Sequence, residues 1–295
     1  MAGWKNHEVV AELLLDNGAD TSAKGNKGDI PANDARKERY SKFANIINSN
    51  SAPAITTNVP PPTRITDQST NAISGLELWK AAVRGNLGMV NRAIATGTNV
   101  NWKSFAGRTS LHATALYNRP AVTSALLTAG ADKDAQNKDG ETPLHMVSYR
   151  GSKDVARIII TAGADIEIKD KYGYTPLLKA ALLNHTDLAE LLLNNGADAS
   201  VKASYDSGQG STYDWTPLHY AALRNNLVLA ELLLNHEADT SAKDVFYWTP
   251  LDIASHLNHV AMVELLQNNG AEPSAKHDSD NTLNENARKR QTDTW

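Results

Sequence analysis

The chain has 295 residues, no cysteine, 41% apolar and 21% charged residues, and a formal net charge of -4. Disulfides, thiolate metal sites and cysteine nucleophiles are thereby excluded, and an acidic balance lacks the basic footprint that a phosphate backbone requires, so no nucleic-acid partner is expected. No apolar run approaches the roughly 18 residues of a spanning helix, and Glu8 and Glu12 interrupt the N-terminal apolar pattern, so neither membrane insertion nor a signal peptide is expected.

In chain order, residues 1–52 open with "NHEVVAELLLDNGAD", an amphipathic helix pattern stopped by Gly18, followed by "GDIPANDA". The polar stretch that follows carries Asn48 where later segments carry Leu, which reads as the closing cap of an array whose last one and a half units lie here. Residues 53–74 are rich in Pro, Ser, Thr and Asn and read as a flexible or polyproline-like linker. From Leu76, "ELWKAAVRGNLGMVNRAIATG" reads as an opening cap, with Arg92 at an otherwise apolar helix position.

One motif then recurs: "TSLHATAL" from Thr109, "TPLHMVSY" from Thr142, "TPLLKAAL" from Thr175, "TPLHYAAL" from Thr216 and "TPLDIASH" from Thr249, at spacings of 33, 33, 41 and 33 residues. Twenty-one residues after each Thr stand Gly130, Gly163, Gly196, Glu237 and Gly270, four of them opening "GAD" or "GAE". The register extends back to Leu76 with Gly97, and to Ile30 with Gly18. The long interval adds eight residues around "ASYDSGQGST", between Lys202 and Tyr213, which should project from a loop. Gln267 replaces an apolar residue of earlier units, so the unit from Thr249 is expected to close an array spanning 75–276, leaving 277–295 as a partial or frayed terminal repeat. That tail is similar to residues near the N-terminus, which suggests a fragment of a longer protein with tandem arrays.

Thr supplies a hydroxyl for the first orphan amides, Pro at the first helical position has no amide to satisfy, and Leu begins the buried stripe. A second helix follows, as in "DLAELLLNNG" from Asp187, where Leu188, Leu191 and Leu192 recur at helical spacing before Gly196. Each unit is thus a pair of short antiparallel helices that can bury its stripe only by stacking on neighbours.

With its 33-residue "TPLHxA" register the chain resembles the ankyrin-repeat family over nearly its whole length. The resemblance implies an all-α solenoid of stacked helix-turn-helix pairs joined by β-hairpin loops, and, from the family's habits, a cytoplasmic or nuclear location. It also implies that partners bind on the loop tips and the inner face of the first helices.

Residues at one repeat position are displaced by about 8–10 Å from unit to unit and cannot converge on one atom, so the recurring His112, His145 and His219 read as structural, as do the His7, His185 and His259 turns and the "GAD" aspartates. His236, His256 and His277 fall outside the register without a metal-ligand spacing. No catalytic motif, metal site or cofactor is expected, and the chain reads as a non-enzymatic, monomeric interaction module for an unidentified protein. The alternative is the recognition part of a larger adaptor or effector.

Positions that differ between units carry the specificity. The tips hold Phe105, Arg108, Tyr172, Tyr174, Tyr213, Trp215, Phe246, Tyr247 and Trp248, and the inner helix ends hold Tyr117, Tyr149 and His256. Large amphipathic rings of this kind are frequent hot spots. Trp79, Trp102 and Tyr220 read as packing residues. Tyr247 stands where Gly107, Gly140 and Gly173 occupy the other tips, so the last tip is expected to differ in shape as well as chemistry.

Overall fold

The computed structural model describes residues 73–203 and 214–274. Within them the helices form six consecutive pairs: α1 (Gly75–Arg84) with α2 (Leu87–Ala95), α3 (Ser110–Leu116) with α4 (Pro120–Thr128), α5 (Pro143–Ser148) with α6 (Lys153–Thr161), α7 (Pro176–Leu182) with α8 (Thr186–Leu193), α9 (Pro217–Arg224) with α10 (Leu227–Asn235), and α11 (Pro250–His256) with α12 (Val260–Asn268). First helices pack on first helices and second helices on second helices, giving an inner and an outer layer. The readings of residues 1–52, of the linker up to residue 72 and of the tail from residue 275 lie outside the described residues.

The helix starts follow the capping chemistry. Thr109 and Thr142 sit in extended backbone at the N-cap, and the Nδ1 atoms of His112 and His145 accept the backbone N–H of those same threonines at 3.1 Å. Asp252 does the same for Thr249 at 2.9 Å. The opening unit departs from the register: Ser74, not Leu76, caps α1, accepting the Glu77 N–H at 3.2 Å. A hydroxyl can cap where the aligned Leu cannot, so this helix starts two residues early.

The five Thr-capped units bury the same positions. Leu111, Leu144, Leu177, Leu218 and Leu251 begin the inner stripe, and Val122, Val155, Leu188, Leu229 and Met262 face them from the second helices, all at 1% exposure or less. Each such side chain contributes about 1.5–3 kcal/mol that exists only while neighbours stay stacked. Trp79 is fully buried, Tyr220 is buried and Trp102 packs against the core.

The loops correct one expectation, because no strand forms among the described residues. Each fully described loop closes on itself through two backbone bonds, as Asn137 N–H donates to the Glu141 carbonyl and Gly140 N–H to the Asn137 carbonyl, both at 2.9 Å. It meets its neighbour through another, as Lys138 N–H donates to Ala106 and Lys171 N–H to Asp139, both at 2.9 Å. Such isolated pairings do not build a ladder. The inserted segment rejoins the fold where Ala203 N–H meets the Trp215 carbonyl at 3.0 Å; residues 204–213, with Tyr205 and Tyr213, lie outside the described set.

Candidate partner-binding face

The tips share one construction. Five residues before Thr142, Thr175 and Thr249, a short polar side chain folds the loop over itself. Asn137 Oδ1 accepts the Asp139 and Glu141 N–H groups at 2.8 and 3.0 Å, Asp170 Oδ1 those of Tyr172 and Tyr174 at 2.8 and 2.9 Å, and Asp244 Oδ1 those of Phe246 and Trp248 at 2.8 and 2.9 Å. Two residues before the Thr the backbone is left-handed in every described tip: Gly107, Gly140, Gly173, Asp214 and Tyr247. Tyr247 adopts φ 65° and closes the same bond, to the Asp244 carbonyl at 3.0 Å, that Gly140 makes to Asn137 at 2.9 Å. The expectation of a differently shaped last tip is therefore wrong: its turn is the common one, held by Asp244 at the cost of placing a tyrosine in αL.

The candidate contact residues divide by their place in the tip. Phe246 and Tyr247 are exposed, as is His256, while Phe105, Tyr117, Tyr149, Tyr172 and Tyr174 are half-buried. Arg108, Trp215 and Trp248 are 2, 6 and 2% exposed, which overturns their reading as exposed tip residues. All three immediately precede the capping Thr, where the chain already turns inward. At that position the carbonyls of Glu141, Tyr174 and Trp248 accept the Nε2–H of His112, His145 and His219 in the preceding units, at 3.0, 2.9 and 3.1 Å. The two indoles lie back on the helix that follows: Trp215 packs on His219 and Tyr220, with its Nε1–H on Asp244 Oδ2 at 3.2 Å, and Trp248 packs edge-on to His256.

Those histidines fasten unit to unit. With Nδ1 accepting from its own Thr and Nε2 donating to the next loop, each is neutral, and burial lowers its pKa from 6.5 to about 4. The "GAD" aspartates are turn residues, as expected: Asp132, Asp165, Asp198 and Asp239 each accept the N–H two residues on.

Beneath Tyr149 lies a cluster that the repeat pattern does not announce. Lys179, buried on α7, donates to Glu141 Oε1 at 2.6 Å, pairs with Asp170 Oδ2 at 2.8 Å and donates to the Tyr149 hydroxyl at 3.0 Å. Tyr149 in turn donates to Glu141 Oε1 at 2.5 Å, and Asn137 Nδ2–H to Glu141 Oε2 at 2.9 Å. Burial disfavours the ammonium, but Glu141, Tyr149 and Asp170 outweigh it and hold its pKa above the usual lysine range; burial pushes the Tyr149 phenol up. The sequence signal was the slot. Four residues after Thr, where the other Thr-capped units carry Ala113, Met146, Tyr220 and Ile253, this unit carries a charge, as the opening unit does at Lys80. Next along the same face, the hydroxyls of Tyr174 and Tyr220 meet at 3.0 Å.

The register thus survives in side-chain detail, down to a histidine of one unit binding a carbonyl 29 residues later. A family model described as ankyrin repeats in three copies matches residues 111–203 and 202–277, more than half of the chain. The chain belongs to the ankyrin-repeat family. Ankyrin repeats are generally protein–protein interaction modules, and the family is typically non-catalytic. In this ankyrin-repeat array no group of three or more His, Asp or Glu among the described residues is placed to hold a metal ion, and no described helix is long and apolar enough to cross a membrane.

Proposed function

We propose that this array is a non-enzymatic platform that binds one protein partner on its loop tips and on the inner ends of its first helices. The contacts are Phe105, Tyr172, Phe246 and Tyr247 at the tips and Tyr117, Tyr149, Tyr174 and His256 beside them. Arg108, Trp215 and Trp248 shape the surface from below rather than touching the partner. The stacked units present these side chains already ordered, so binding does not bear the full entropic cost of organising them.

Tyr247 carries this reading. A left-handed turn that glycine accepts freely costs a bulky L-residue roughly 1–2 kcal/mol. Backbone strain of this kind collects at functional positions because the side chain is needed there. The ring is 54% exposed and so contributes little to the core that would offset the cost.

The test replaces Phe105, Tyr172 and Phe246 together by Ala. Circular dichroism should show an unchanged helical array, and affinity capture from native lysate should lose the partner held by wild type. A folded variant that retains every captured protein would show that the tips are not the binding face.

A further inference from the structure

The tips treat the two signs of charge differently. Their carboxylates are turned inward: Glu141 and Asp170 are buried against Lys179, Asp244 is buried under backbone amides and the Trp215 indole, and Asp139 pairs with Lys171. Asp214, beside the inserted segment, is the described tip carboxylate outside such an arrangement. At the roots of the loops, next to the second helices, Asp134 Oδ1 and Glu167 Oε1 likewise accept backbone N–H groups of the following unit, from Asp165 and Asp198, both at 2.9 Å.

Five other lysines face outward. Lys103, Lys138, Lys169, Lys202 and Lys243, one from each of five consecutive loops, are all exposed. Lys103, Lys169 and Lys202 each donate to a backbone carbonyl of the next loop, those of Gln136, Lys202 and Lys243, at 3.1–3.2 Å. Lys138 lies over the Phe105 ring at 3.8 Å. A carbonyl or a ring face orients an ammonium without cancelling its charge. The other exposed carboxylates of these loops, Asp132, Asp165, Asp198 and Asp239, lie in the turns at the loop roots, so the row itself stays cationic on a chain whose overall balance is acidic, and complementary charge is what such a row selects in a partner.

We infer that the partner segment seated along the tips is an acidic, extended stretch of protein chain. Successive units are displaced by about 8–10 Å, and a chain in the extended polyproline II form advances about 3.1 Å per residue with three residues per turn, so carboxylates at every third residue share one face and match the lysine row. Apolar residues between them meet Phe105 and Tyr172, and the C-terminal end of the segment or its N-terminal end reaches Phe246 and Tyr247. This rests on the binding reading above and supplies its chemistry.

The experiment uses the full chain and three labelled probes: a short synthetic peptide with Glu at every third position, the same peptide with Lys in place of Glu, and an oligothymidylate. Fluorescence anisotropy should show saturable binding of the Glu peptide alone. Its affinity should fall at least about tenfold in the combined variant Lys138→Glu, Lys169→Glu, Lys202→Glu and on raising salt, since exposed charges are screened. The matching Lys→Gln variant should lose less. Circular dichroism and melting of each variant check the fold. Failure of the Glu peptide to bind wild type, or equal binding by the folded charge-reversed variant, overturns the inference. Tighter, lysine-dependent binding of the oligothymidylate overturns it in favour of a nucleic-acid strand. The binding reading stands or falls separately, on partner capture by the Phe105, Tyr172 and Phe246 variant.

Discussion

The middle loops, Asn137–Glu141 and Asp170–Tyr174, and the last described loop, Asp244–Trp248, close on one turn by different means. In the middle the turn residue is Gly140, and a Cβ there would sit 2.9 Å from the Lys171 backbone nitrogen of the loop stacked on it. In the last loop the same position holds Tyr247 in the same left-handed backbone. The second carboxylate oxygen differs as well: Asp170 gives Oδ2 to the Lys179 ammonium, Asp244 gives it to the Trp215 indole. The turn thus belongs to the backbone bonds and the polar residue five before Thr. Tip side chains vary above it, and the middle of the array is locked by charge where the end is locked by aromatic packing.

Acidification should break both regions alike. His145 pins the middle loop through the Tyr174 carbonyl, His219 pins the last through Trp248, and both have folded pKa values lowered to about 4 from 6.5. Between those values the unfolded chain binds more protons. The stabilisation is therefore complete above pH 6.5 and is lost as pH falls toward 4, by up to about 3 kcal/mol for each histidine. Urea titrations across that range should show the loss, with His112 adding to it.

Lys179→Met should separate the regions. It leaves Glu141 and Asp170 buried without their cation, at a cost of roughly 3–5 kcal/mol, and amide exchange should rise first in α5 and α7 while α11 and α12 keep their protection. Gly140→Ala should be smaller, about 1–3 kcal/mol by the αL penalty and the contact with Lys171. The loss should appear as a lowered denaturation midpoint. Glu237→Gly should act in the opposite sense: Glu237 holds φ 61° where other units have glycine after the second helix, and relief of that penalty should raise the midpoint by about 1 kcal/mol or less.

The helices, their caps and the stacking were legible because each recurs: a Thr hydroxyl, a proline without an amide and a leucine at fixed offsets have one local solution, repeated. What repeats is also what packs, so Leu111, Leu144 and their equivalents were identifiable as core. The tips were less legible. Arg108, Trp215 and Trp248 differ between units, as contact residues do, yet all three are buried, and the partners of the two indoles, Tyr220 and Asp244 for Trp215 and His256 for Trp248, are brought to them by the fold and not by any local pattern. Lys179 was hidden for the same reason, its partners lying on two different loops. Tyr247 was misjudged because steric preference was allowed to decide against Asp244, whose two accepted N–H groups hold the turn whatever residue follows.

The separation of scaffold from contact surface is tested most directly by Tyr247→Gly, measured for both stability and partner capture. The turn should be kept and its strain relieved, raising stability by about 1 kcal/mol in urea titration, while capture of the partner weakens because the exposed ring is gone. A variant that is no more stable than wild type and binds as well would contradict the account, since Tyr247 would then be neither strained nor in contact.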